Sequence, residues 1–138
     1  MEKLTDSLFK LRGSGVTVSY VDVPSQFGTA AMKLLFSEGT WLRTDHWRLT
    51  RTGSEVVSSF DHKQKFGLPG PIDAINELTR ALADKTVTKA QLDRGTGNLL
   101  FRFSEDINLQ IFGFSAYEVW EIRFPDGTGE YSNFAKQP

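Results

Sequence analysis

The stretch Leu99-Leu100-Phe101-Arg102-Phe103-Ser104-Glu105-Asp106-Ile107-Asn108-Leu109-Gln110-Ile111-Phe112 reads as a β-hairpin. Residues 99–103 and 108–112 are short apolar-rich runs, and Ser104-Glu105-Asp106 between them is a polar turn. The tripeptide Phe103-Ser104-Glu105 has a counterpart in Phe36-Ser37-Glu38. There, residues 32–36 are again strand-like, Glu38-Gly39 turns, and residues 40–43 pair back. Outward from the two hairpins the matches continue in the same order. Val16-Thr17 answers to Val87-Thr88, Val21-Asp22 to Leu92-Asp93, and Leu42 to Leu109. Trp47-Arg48-Leu49 answers to Trp120-Glu121-Ile122 if residues 113–118 are an insertion, and Leu4 and Leu11 answer to Ile75 and Leu82.

Each half thus reads as one helix followed by an antiparallel meander. In the first half, Leu4, Leu8 and Leu11 share one face of a helix over 3–12, with Gly13 placed to end it. Strands are expected at 16–21, 32–36, 40–43, 47–50 and 55–60, with a loop at 23–28 and a turn at Arg51-Thr52-Gly53. Residues 61–70 form a polar loop that ends in the stiff linker Leu68-Pro69-Gly70-Pro71. In the second half, Ile72, Ile75, Leu78 and Leu82 predict a helix over 71–83 that starts on Pro71. Strands follow at 86–92, 99–103, 108–112, 118–124 and 131–134, the fourth closed by the turn Pro125-Asp126-Gly127. The fold class is β-rich α+β. One domain spans 1–138, with pseudo-repeats at about 3–62 and 71–134. Strand order stays open among a continuous sheet, two stacked sheets and a closed barrel.

The chain has 138 residues, enough to bury a core without metal or disulfide. It has no cysteine, which excludes disulfides, thiolate metal sites and a cysteine nucleophile. With 16 basic and 17 acidic residues of alternating sign, nothing marks a basic nucleic-acid face. Neither a signal-peptide run nor an apolar stretch of spanning length is present, so a cytoplasmic protein with no membrane partner is expected.

Catalytic chemistry finds little purchase. His46 and His62 each follow an aspartate, Asp45 and Asp61. Neighbours on a strand point to opposite faces, so adjacency makes no dyad, and two histidines are too few for zinc. Both are read as surface or loop residues. There is no Gly-x-Ser-x-Gly elbow, and Arg94-Gly95-Thr96-Gly97-Asn98 lacks the Lys-Ser/Thr ending of a phosphate loop and reads as a hairpin turn. No enzyme, cofactor or metal is expected. The aromatics divide differently: Trp47 and Trp120, at matching positions, belong in the core. Trp41 beside the Gly39 turn, Tyr117 and Tyr131 are candidate contacts.

The second half also carries a resemblance. Its residues are Leu68-Pro69-Gly70-Pro71-Ile72-Asp73-Ala74-Ile75, Thr96-Gly97-Asn98-Leu99-Leu100-Phe101-Arg102-Phe103, Leu109-Gln110-Ile111-Phe112-Gly113-Phe114-Ser115 and Tyr117-Glu118-Val119-Trp120-Glu121-Ile122 before Pro125-Asp126-Gly127. Over about residues 30–134 the chain resembles a group of small bacterial proteins of unassigned function. That group includes immunity proteins of polymorphic-toxin and contact-dependent inhibition systems. The resemblance implies a cognate toxin as partner in a heterodimer, and no catalytic residues. The expected interface residues are Trp41, Asp45, Asp61, Tyr117, Glu118, Glu130 and Tyr131, with the four acids in or near loops. The rival reading is a small-ligand module with a phenylalanine-lined pocket between sheet and helix.

Overall fold

The computed structural model describes residues 2–20, 31–113 and 119–132. It is a strand-rich α+β fold. Helix α1 (Glu2–Phe9) precedes β1 (Val16–Tyr20), β2 (Met32–Phe36), β3 (Trp41–Thr44), β4 (Trp47–Arg51) and β5 (Ser54–Ser58). Helix α2 (Ala74–Leu82) precedes β6 (Val87–Asp93), β7 (Asn98–Phe103), β8 (Ile107–Ile111), β9 (Trp120–Arg123) and β10 (Gly129–Tyr131). The strands form two five-stranded sheets, β1-β2-β3-β9-β10 and β5-β4-β8-β7-β6, with every ladder antiparallel. The expected loop at 23–28 lies outside the described residues.

Side-chain alternation decides which faces meet. Met32, Leu34, Phe36, Leu42, Trp120 and Ile122 line the inner face of the first sheet. Trp47, Leu49, Leu99, Phe101, Phe103, Ile107, Leu109 and Ile111 line that of the second. The two sets form one core, and the rings of Phe36 and Phe101 meet across it with centroids 5.4 Å apart. Trp47 and Trp120 are buried as the sequence predicts. Trp120 also meets the polar demand of its indole, donating Nε1–H to the Gly97 carbonyl at 2.7 Å.

The chain changes sheets in two places. Between β3 and β4 only Asp45 and His46 carry it across, and after β8 it returns before β9. The crossings are tied together: Asp45 N–H donates to the Val119 carbonyl at 3.1 Å, and Phe112 N–H donates to the His46 carbonyl at 3.0 Å. At the other end the edges β1 and β6 meet in a single antiparallel bridge, Gly15 to Thr86. Helix α2 packs on β1 and β5, whereas α1 packs on β6.

Several boundaries depart from the sequence reading, each for a local reason. Helix α2 starts at Ala74 rather than Pro71, because the Asp73 carboxylate caps it by accepting from Asn76 N–H at 3.0 Å. Ile72 is committed elsewhere, donating to the Gln64 carbonyl and accepting from Lys63 N–H. Helix α1 ends at Phe9, and Leu11 and Arg12 continue in tighter three-residue turns before Gly13 adopts φ +87°. Strand β5 stops at Ser58, where the Asp61 carboxylate accepts from Ser58 N–H at 2.8 Å and closes a 3-10 turn over Ser59–Asp61. That turn carries Phe60 out of the sheet. Strand β10 begins at Gly129, which the Gly127 turn places opposite Arg123; of the strand expected over 131–134, residues 133 and 134 lie outside the described residues.

Candidate functional site

The outer face of the first sheet gathers the side chains best suited to recognition. Inward Leu34, Leu42 and Ile122 force their neighbours outward. Two rows result. One runs Leu35, Trp41, Arg123, and the other Lys33, Arg43, Glu121, Tyr131, each set by the strand register. Trp41 opens the central strand β3, at the end of this face beside the Gly39 turn.

These side chains hold one another. The Lys33 ammonium stands 4.7 Å from the centroid of the Trp41 ring. Arg123 donates from Nε to Glu121 Oε2 at 2.7 Å and from an Nη to the Tyr131 hydroxyl at 3.0 Å, with its guanidinium 5.3 Å from the Tyr131 ring centre. The Glu121 hydrogen bond, and then the one to Tyr131, raise the Arg123 pKa above its ordinary range. Arg43 pairs with Asp45 at 3.6 Å. The flat rings and the planar guanidinium are thus preset, which lowers the entropy lost when a partner docks.

Of the seven expected interface residues, the structure brings Trp41 and Tyr131 onto this face and Asp45 to its corner. Glu130 does not join them. It lies in β10 rather than a loop, opposite Ile122, and so projects to the other side from Tyr131. Asp61 is at the end of β5 in the other sheet, where its carboxylate serves Ser58. Tyr117 and Glu118 lie outside the described residues. The remaining members of the face, Lys33, Leu35, Arg43, Glu121 and Arg123, are not among the residues the sequence singles out. Strand parity is the usable signal: with Trp41 outward, Arg43 two residues on must share its side.

The histidines need one correction. His46 does lie in a loop, the crossing between β3 and β4, but not on the surface; it is 2% exposed, and its ring lies 5.1 Å from Phe60. Burial lowers its pKa, opposed by the charge of Asp45. Burial likewise raises the Asp45 pKa, opposed by Arg43 and then His46. His62 accepts from Ala74 N–H through Nδ1 at 3.1 Å and so helps cap α2, while Asp61 beside it faces Ser58. Among the described residues no three His, Cys, Asp or Glu side chains come together as a metal site.

A cleft of about 410 Å³ between β5 and α2 is lined by Val56, Leu68, Ile72, Asn76, Glu77 and Arg80 among others, and its lining includes no phenylalanine. Comparison with family models, curated proteins and solved structures finds no match to this chain.

Proposed function

We propose that the protein is an immunity protein of the cytoplasm that binds a cognate toxin domain and occludes its functional surface. The docking face is the outer surface of the first sheet. The observation that supports this reading is the preset group Trp41, Arg123 and Tyr131. Tryptophan, tyrosine and arginine are the side chains that concentrate binding energy at protein interfaces. Lys33, Arg43 and Arg123 stand there against Glu121 and Asp45, so the face is slightly basic. It therefore complements an acidic or neutral toxin surface better than a basic nucleic-acid cleft.

The test is affinity capture of the tagged protein from its host, with the bound material identified by mass spectrometry. A stoichiometric toxin fragment is the expected result. Trp41→Ala and Tyr131→Ala should each weaken its capture at least about tenfold while leaving the fold intact. Capture of no protein, or capture indifferent to both substitutions, would sink the reading.

The finer architecture belongs to the same proposal: two repeats, about 3–62 and 71–134, that have exchanged their last hairpins. Two observations support it. Read from β1, the first sheet holds strands one to three of the first half and four and five of the second; read from β6, the other sheet is the reciprocal. The turns also match: Ser37 N–H donates to the Gly15 carbonyl and Gly15 N–H to Ser37 Oγ, and Ser104 and Thr86 make the same pair of bonds.

A further inference from the structure

Between α2 and the 3-10 turn, residues 63–72 leave the body of the protein and return. Their neck is closed by two backbone bonds, Lys63 N–H to the Ile72 carbonyl at 2.7 Å and Ile72 N–H to the Gln64 carbonyl at 2.8 Å. A third, Leu68 N–H to the Lys65 carbonyl at 2.7 Å, tightens the excursion, and Pro69 and Pro71 stiffen the way back. Ile72 at the neck packs against the core, yet the loop turns two apolar side chains outward. Phe66 is 69% exposed and Leu68 52%. Phe66 also holds φ at +46°, a conformation costly for a bulky residue, and Lys63 at +67°. Backbone strain is spent here on displaying a ring to solvent.

The flanks are basic. Lys63 and Lys65 are both exposed, and no acid lies between His62 and Ile72. The nearest carboxylates, Asp61 and Asp73, are engaged in capping the 3-10 turn and α2. We propose that this loop is a membrane-surface anchor. Phe66 and Leu68 seat at the headgroup–acyl boundary of an anionic bilayer, and Lys63 and Lys65 pair with its headgroups.

Residues 63–72 carry two lysines, a leucine and a phenylalanine and no arginine, tryptophan or tyrosine, whereas the sheet face sets Lys33 and Leu35 among Trp41, Tyr131, Arg43 and Arg123. Lysine is depleted at protein interfaces and leucine is scarce among their hot spots. Both suit a lipid boundary, where a lysine stem lies along the acyl region and its ammonium reaches the phosphates. Such an anchor lies on the bilayer without crossing it; among the described residues no helix is long and apolar enough to span. The sequence reading, which expects no membrane partner, rests on the lack of a spanning segment and does not bear on surface attachment.

Vesicles of phosphatidylcholine, with and without phosphatidylglycerol, are sedimented with the full chain at low salt. Binding to the anionic vesicles should exceed that to the neutral ones at least about tenfold and fall as salt rises. The Phe66→Ala/Leu68→Ala double variant should lose more than about tenfold of this binding. Lys63→Gln/Lys65→Gln should reduce it to the neutral-vesicle level. All four positions are exposed, so circular dichroism and the unfolding midpoint should match the parent. No sedimentation with either vesicle, or sedimentation unchanged in the double variant, overturns the anchor. So does a double variant that loses capture of a protein partner while the parent ignores vesicles, since the loop is then a protein contact. The toxin-binding reading stands on other residues and survives either outcome.

Discussion

On the central strand of the first sheet's outer face stands Trp41, with Lys33 beside its ring and Arg123 locked to Glu121 and Tyr131. On the outer face of the second sheet stand Leu100, Gln91 and Gln110, in a depression of about 340 Å³ that Phe112 helps to line. The same face carries Arg48, Arg102 and Lys89, and Arg48 is used internally, donating Nε–H to Gln110 at 2.8 Å and lying 5.4 Å from the Phe112 ring. The inner faces are far more alike: each has a buried tryptophan at the start of its crossing strand, Trp47 and Trp120, and a buried phenylalanine at the end of its hairpin's first arm, Phe36 and Phe103. Packing against a common core restrains the inner positions, and nothing in the fold dictates the outer ones. The two outer faces carry the same number of cationic side chains and differ in their aromatics, Trp41 and Tyr131 on the first sheet against Phe112 beside the second.

The largest expected effect separates core from face within one residue type. Trp120→Ala removes a fully buried indole and strands the Gly97 carbonyl, and should cost about 3–5 kcal/mol in urea unfolding. Trp41→Ala should cost no more than about 1 kcal/mol, and its effect should fall on the proposed binding instead. Equal stability losses for the two would erase the distinction between an inner tryptophan that holds the fold and an outer one that the fold does not need.

The two crossings offer the next contrast. The first carries His46, whose carbonyl accepts from Phe112 N–H; the second carries Val119, whose carbonyl accepts from Asp45 N–H. Among the described residues of the two crossings, the ionisable side chains are those of the first, Asp45 and His46. Burial lowers the His46 pKa from its ordinary value of 6.5, so below that pH the unfolded chain binds a proton that the folded chain resists. Stability is thus full above about 6.5 and declines as pH falls, until the folded imidazole itself protonates. Asp45 acts with the opposite sign at lower pH. Its folded pKa is raised above 3.8, so the folded chain takes up protons more readily there and acidification partly offsets the loss. His46→Val copies the second crossing and should flatten the urea midpoint between about pH 7 and 5.5. A slope as steep as in the parent would place the acid sensitivity elsewhere.

Much of this contrast is legible in the sequence itself, because a strand announces itself by alternation and a hairpin by its turn. Phe36-Ser37-Glu38 and Phe103-Ser104-Glu105 locate both hairpins, while Trp41, expected outside because it neighbours the Gly39 turn, is turned outward by alternation with Leu42. Sheet membership is not legible. Asp45-His46 contains no proline or glycine, so β3 and β4 look like neighbours along one path, whereas the chain changes sheets there in two residues. With that crossing hidden, His46 has no reason to be buried. Asp61 misleads through a similar gap: whether an acid faces a partner or caps its own backbone depends on φ and ψ of residues two and three away. Leu68-Pro69-Gly70-Pro71 announces stiffness, but the residues alone suggest a linker and not the display of Phe66.

The smallest expected effect lies at the helix ends, where the two halves solve one problem with different residues. After α1 the chain reverses through Gly13 at φ +87°; after α2 it reverses through Asp84 at φ +61°. Both lie close to the bridge that joins β1 to β6. A left-handed residue with a Cβ costs roughly 1–2 kcal/mol relative to glycine. Aspartate tolerates the region better than most, and glycine gives up more chain entropy on folding. Asp84→Gly should therefore raise stability by only a few tenths to about 1 kcal/mol. Gly13→Ala should lower it by about 1 kcal/mol or more; nothing lies within 4 Å of the added Cβ, so the loss would measure backbone conformation alone. If Asp84→Gly were instead destabilising, the aspartate side chain would have to be contributing something at that turn that Gly13 does without, and the two helix ends would no longer be equivalent reversals.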